Sequence, residues 1–380
     1  MKRYTIQMLF MRLVYSIFKS FVLIFVNIYL WKTGKSIHAV ALFNIFNYIG
    51  ATVSFYWGNK IALKNTKYNY LLSSLSFISL FAMTAFFGDT ISKYSILIGL
   101  LGGFGDGFFF FNLNTFQASE LDKDEMDRFM SLLGIISKIS SVLTPALSGL
   151  IIHTYGFMTM IYALMVLVFF QFLNALLMPN SQFHSMAKID VKKIWANKHL
   201  RNILVTHASR APYSQFSIVA NSVFLYYFAK SELQTGYLNS AFAVSSILFF
   251  MIYQFSQKNV GRKKLLLIGA IAHSMAMLVL FKPSLTTFII YSLSINIGGA
   301  FFGHPLTGLQ IHASKKYSDS QEEMLGNLLS RVCMLTSGRV FFFILLLLFY
   351  TDFTSPIFYV FLGYNIFIPL HSFWLVRDEI

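Results

Sequence analysis

Seven ionisable side chains interrupt stretches of the sequence that are otherwise apolar: Arg12, Lys19, Asp106, Lys138, Arg210, Arg331 and Arg339. Six are basic and one is acidic, a formal excess of five positive charges. A charge in hydrocarbon costs several kcal/mol unless it reaches the interface, meets a counter-charge or faces a wet cavity. Asp106 sits in Gly102-Gly103-Phe104-Gly105-Asp106-Gly107, where small neighbours allow close helix packing and some backbone irregularity. In a low-dielectric cavity such a carboxylate can take up and release a proton, whereas an adjacent Lys19 or Lys138 would hold it ionised. Two roles stay open for it, proton coupling, which is preferred, and permanent ion pairing.

The basic residues divide by depth. Lys19, Lys138 and Arg339 fall near the middle of their stretches, where snorkelling is poor, and are expected to bind substrate or to form structural pairs. Arg12, Arg210 and Arg331 lie near one end of theirs, so snorkelling is the alternative to a substrate role. A field of this sign attracts anions and repels cations, which favours an organic or phosphorylated anion, or an acidic amphiphile. Asn112 and Tyr213 are expected at the substrate, with Asn114, Gln117, Asn221, Gln310 and Tyr15 as weaker hydrogen-bonding positions. His304, just before Pro305 and beside a Gly-rich stretch, is the candidate proton relay, while His273 and His371 read as packing or interface residues. Phe108–Phe111 could line a substrate path, but lipid-facing bulk is the cheaper reading. No His, Cys, Asp and Glu set has metal-ligand spacing and no Gly-x-x-x-x-Gly-Lys-Ser/Thr loop is present, so neither metal nor cofactor is expected. Cys333, the one cysteine, reads as a packing residue and excludes a disulfide framework.

Only membrane helices could hold these groups as placed. The chain has 380 residues, of which 56% are hydrophobic and 12% charged, about half the charged share of a soluble domain. A span needs about 20 helical residues. The apolar blocks are 8–30, 37–58, 69–88, 94–117, 128–151, 156–178, 202–228, 235–257, 265–281, 286–311, 326–350 and 355–376. They are too long and too continuously apolar for barrel strands. The sequence therefore predicts an all-α polytopic membrane protein with twelve transmembrane helices, arranged as two six-helix pseudo-symmetric halves around a central cavity. The halves are 1–178 and 202–380, joined by a basic linker, 179–201. The first block is not expected to be a cleaved signal peptide, because Arg12 and Lys19 interrupt it and no small-residue cleavage site follows.

The formal charge of +15 suggests nucleic acid, but its placement does not. With the N-terminus in the cytoplasm, 19 basic residues fall in cytoplasmic loops and ends and 5 on the other side. This bias places both termini in the cytoplasm, and anionic headgroups explain the basic face. Membrane lipids are thus expected partners and nucleic acid is not.

The halves also repeat. Gly102-Gly103 has a counterpart in Gly298-Gly299, and Gln117-Ala118-Ser119 before an acidic link (Glu120, Asp122, Asp124, Glu125, Asp127) has one in His312-Ala313-Ser314. Repeated halves around a midplane site are how secondary transporters are built. Gly261-Arg262-Lys263, within Lys258-Asn259-Val260-Gly261-Arg262-Lys263-Lys264, would form a tight basic turn after the eighth block. In these features, over its whole length, the chain resembles the major facilitator superfamily, whose loop motif ends in a similar glycine-arginine-basic run. Lys258 and Asn259 depart from that motif's acidic and basic positions, and Tyr56–Lys67 lacks its glycine. Thr144-Pro145-Ala146-Leu147-Ser148-Gly149 loosely resembles the glycine-proline signature of antiporter-type members.

The resemblance implies a non-enzymatic secondary transporter, acting as a monomer in the cytoplasmic membrane of a bacterium. It would move a small organic, anionic or amphiphilic solute by alternating access, with proton-coupled efflux as the expectation and Gly261, Arg262 and Lys263 as a gating loop. Import of a sugar, phosphate ester or organic acid, and flipping of a lipid-linked intermediate, are the alternatives within transport. A membrane transferase would need a nucleophile or acid–base pair that the spans do not supply, and a non-transporting scaffold would leave the mid-span charges without use.

Overall fold

The computed structural model describes residues 3–119, 123–182, 187–303, 305–306, 309 and 316–377. Among them there is no strand, and twelve long helices carry the fold. In the first half these are α1 (Tyr4–Gly34), α2 (His38–Ala62), α3 (Thr66–Phe87), α4 (Ser95–Ser119), α5 (Lys123–Tyr155) and α6 (Phe157–Leu176). In the second they are α7 (Lys198–Val219, continuing to residue 229), α8 (Glu232–Val260), α9 (Arg262–Leu278), α10 (Leu285–Gly303), α11 (Gln321–Phe349) and α12 (Pro356–Val376). Among the described residues, ten stretches of helix are long and apolar enough to cross a membrane. One of these, Thr66–Asn114, holds both α3 and α4, joined through a 3-10 turn at Gly88–Tyr94, and α7 falls outside the ten because Lys198, Arg201 and Arg210 dilute its apolar character.

Several boundaries differ from the hydropathy reading, because helices run past the apolar blocks into polar residues. α5 begins at Lys123, so part of the acidic link is helical. α8 extends through Lys258 and Asn259 to Val260, which leaves Gly261 alone as the connection to α9. Gly261 has φ 80°, a left-handed value that a side chain would strain. Tyr56 and Lys60 likewise belong to α2 rather than to a link.

The chain forms two compact units, Met1–Met186 with Glu232–Ser240, and Ala187–Ser231 with Ala241–Ile380. Within the first, α1 packs on α5, α3 on α4 and α6, and α2 on α4. Within the second, α7 packs on α11, and α9 on α10 and α12, so three of the helix pairings recur six helices later. The glycines of α4 explain its tight seat on α2. A Cβ at Gly103 would run into the Asn47 carbonyl, and one at Gly107 into the Ala51 carbonyl and the Ser54 hydroxyl. α4 stays α-helical through this stretch, whereas its counterpart α10 loosens into a π turn at Gly299–Gly303.

Two further π turns mark the repeat, Val22–Val26 in α1 and Ala220–Phe224 in α7. Such a turn leaves the helical hydrogen-bond ladder irregular and needs polar support. Asn27 donates from its amide to the Leu23 carbonyl at 2.8 Å and accepts from Asn44 at 3.0 Å. In α7, Ser222 donates to the Ile218 carbonyl at 2.7 Å and Asn221 accepts from Ser292 at 2.6 Å.

Candidate functional site

Residues 15 and 19 lie one turn apart on α1, so their side chains share a face, and that face meets Asp106 of α4. Lys19 Nζ lies 2.5 Å from Asp106 Oδ2, and the Tyr15 hydroxyl donates to Oδ1 at 2.9 Å. Both carboxylate oxygens therefore have a donor, and Asp106 is buried, at 6% exposure. Of the two lysines open to it, Lys19 takes the carboxylate; Lys138 lies half-buried on α5. Aromatic rings wall the pair: the Tyr15 ring stacks on Phe109 with centroids 4.3 Å apart and planes at 3°. Charge-assisted hydrogen bonds are strongest where water is kept away, so this wall strengthens the pair.

Arg12 stands one turn before Tyr15. Its guanidinium lies 5.3 Å from the Tyr15 ring centroid and 5.9 Å from that of Phe110, within cation–π range. Its Nε and Nη1 are buried and find no hydrogen-bond partner among the described residues. Phe108, Phe109 and Phe111 are buried, which corrects their reading as lipid-facing bulk. They fill the unit's interior because α4 is enclosed by α2 and α3.

The second unit repeats the pattern without the acid. One constant shift along the chain maps Arg12 onto Arg210, Tyr15 onto Tyr213 and the first π turn onto the second. Arg210 lies over the Phe302 ring of α10, 4.9 Å from its centroid. Tyr213 is buried with its ring 4.7 Å from that of His273 on α9, and neither the Tyr213 hydroxyl nor His273 Nδ1 finds a hydrogen-bond partner among the described residues. On α11, Arg331 donates from Nε to His207 Nε2 at 3.2 Å, and Arg339 lies half-buried two turns further along. α7, α9, α10 and α12 contain no Asp or Glu.

The remaining positions separate from these clusters. Asn112 donates to the Thr66 carbonyl at 2.7 Å and accepts from Asn69 at 3.0 Å, which commits its amide to tying α4 to α3. Arg262 donates to the Pro305 carbonyl at 3.3 Å, anchoring the start of α9 beside α10, while Lys263 is exposed. His304 and Gln310 lie outside the described residues, and so does the side chain of Gln117. No group of three metal-ligating side chains occurs among the described residues.

Three features had no strong sequence signal. His273, read as packing, is buried against Tyr213 and beneath Gly298, a contact between helices distant in sequence. His207 as a partner of Arg331 needs a pairing 124 residues apart. Lys32 at the end of α1 pairs with Glu232 at the start of α8 at 2.6 Å, where Gly149 and Gly236 let α5 and α8 approach closely.

The pattern of the Major Facilitator Superfamily matches residues 6–318. The uncharacterized protein YqgE of Bacillus subtilis (strain 168) is 26% identical over 334 residues, covering 83% of this chain and 75% of that protein. Among solved structures, the nucleoside transporter NupG aligns over 99% of this chain and 100% of its own, with a TM-score of 0.74 at 15% identity. A D-xylose-proton symporter aligns over 97% and 96%, with a TM-score of 0.70 at 12% identity. At such identities the two structures share the fold, and the match over 6–318 supplies the family. The chain belongs to the major facilitator superfamily and is a multi-pass membrane secondary transporter, not an enzyme.

Proposed function

We propose that this transporter moves an organic anion or acidic amphiphile outward across the cytoplasmic membrane, in exchange for protons taken up at Asp106. The observation that carries this reading is the Lys19–Asp106–Tyr15 group, in which a buried carboxylate of α4 lies against a cation. In exchange the proton and the solute bind in turn, and in this proposal Asp106 is the carboxylate that carries the proton. Arg12, Lys138, Arg210, Arg331 and Arg339 supply the positive field, with Tyr213 as a hydrogen-bonding position and Gly261-Arg262-Lys263 as the hinge of a gating loop. In this proposal the solute is bound by the six-helix halves 1–178 and 202–380 and exposed alternately to either side, with linker 179–201 and both termini cytoplasmic. The protein acts as a monomer.

The loose resemblance of Thr144–Gly149 on α5 to the glycine-proline signature of antiporter-type members supports the outward direction. Proton-driven uptake of a sugar-like or nucleoside-like solute is the second reading, favoured by the names of the two transporters that share the fold. Radiolabelled organic anions, sugars and nucleosides, offered to right-side-out and inverted vesicles under an imposed proton gradient, separate the two. Anion accumulation in inverted vesicles alone supports export, and sugar or nucleoside accumulation in right-side-out vesicles alone overturns it.

A further inference from the structure

We propose that the turn between α2 and α3 is a built binding site for one anionic phospholipid, separate from the solute path. A cavity of about 560 Å³ opens there, lined by Lys60, Ile61, Lys64, Tyr68, Leu71 and Leu72. Its chemistry is divided. Lys60 and Lys64 are exposed cations near the end of α2, and Ile61, Leu71 and Leu72 are apolar and half-buried. An anionic headgroup beside an acyl chain has the matching division; a water-soluble phosphate would leave the apolar wall uncovered.

The surroundings fit a membrane interface. Tyr56, Trp57 and Tyr68 are large aromatics exposed at 41%, 52% and 51%, and such residues gather where headgroups meet hydrocarbon. Lys60 Nζ lies 4.9 Å from the Tyr56 ring centroid, which directs one ammonium along the aromatic rim. The turn itself is fixed from behind. Asn65 caps α3 by accepting from the Lys67 amide at 3.0 Å, and its own amide donates to Asn180 at 2.8 Å. The Thr66 amide donates to the Ser181 carbonyl at 2.8 Å. A preorganised rim of this kind lowers the ordering cost of binding. It also joins the lipid site to residues 180–181, where the central linker begins.

Native mass spectrometry of the full-length protein in detergent tests this, with dioleoyl phosphatidylglycerol and dioleoyl phosphatidylcholine titrated in turn. Two lysines facing one anionic headgroup predict roughly tenfold weaker phosphatidylglycerol retention in Lys60→Gln/Lys64→Gln. The linker variant Lys192→Gln/Lys198→Gln, which removes the same charge from exposed positions, should retain the lipid as the unmodified protein does. Equal loss in both variants would reduce the effect to a general basic surface and overturn the site. So would unchanged retention in the Lys60/Lys64 variant, or equal retention of phosphatidylcholine. Displacement of phosphatidylglycerol by millimolar glycerol phosphate would reassign the site to a soluble phosphate. Thermal melting of each variant separates lost binding from lost fold.

Discussion

Lys19 and Asp106 face each other at 2.5 Å across the α1–α4 contact, and Tyr15 closes the second carboxylate oxygen one turn earlier. Removing one partner of a buried pair strands the other charge, at a cost of about 3–5 kcal/mol, while replacing both by neutral groups costs far less. Lys19→Met should therefore lower the melting temperature more than Lys19→Met/Asp106→Asn does. A differential melting series in detergent checks the order. If the double variant melts below the single one, the pair is not the unit described.

The glycine seat of α4 gives a steric prediction. Gly103→Ala pushes a methyl into the Asn47 carbonyl of α2 and should destabilise by about 1–3 kcal/mol, with poorer yield of folded protein. Gly134→Ala on α5, where nothing lies within 4 Å of the new methyl, should be neutral or gain up to about 1 kcal/mol from helix propensity. Comparing their melting curves tests whether contact with α2, rather than glycine content, sets the requirement.

The later part of the linker is fastened to the second unit by charge. Lys193 meets Asp319 at 2.6 Å and Glu323 at 2.8 Å, and the Lys188 amide donates to the Glu322 carbonyl at 3.1 Å. The two carboxylates hold the Lys193 ammonium above the ordinary lysine range. For a cation whose folded pKa is raised, the contribution is full below the unfolded value and is lost only as pH rises through the raised one. The small stability difference between the unmodified protein and Lys193→Met should thus stay constant from about pH 6 to 9, and shrink with salt because the pair is exposed. A difference that falls away at neutral pH would contradict this.

Much of the architecture was legible because lipid leaves the backbone few choices: the apolar blocks, the charge asymmetry and the repeated Gly-Gly pairs sufficed for twelve helices. Asp106 was legible for a related reason, since a lone carboxylate in such a stretch has to be accounted for. Its choice of Lys19 over Lys138 was not, because that depends on which faces α1 and α5 turn. The π turns leave no composition signal, yet they recur at the same shift that relates Arg12 and Tyr15 to Arg210 and Tyr213. Phe108–Phe111 misled because phenylalanine suits lipid and core equally. His273 was read as packing and is buried, but its neighbour Tyr213 was not legible, because the contact joins helices distant in sequence.

The most direct test concerns the acid itself. Asp106→Asn keeps the size of the side chain and removes its proton exchange, so in vesicles carrying a proton gradient it should abolish uphill movement of the solute. Downhill exchange of labelled for unlabelled solute should persist within about tenfold of the unmodified rate, since the basic residues remain. Uphill transport retained by Asp106→Asn would contradict the account and return Asp106 to a purely structural partnership with Lys19.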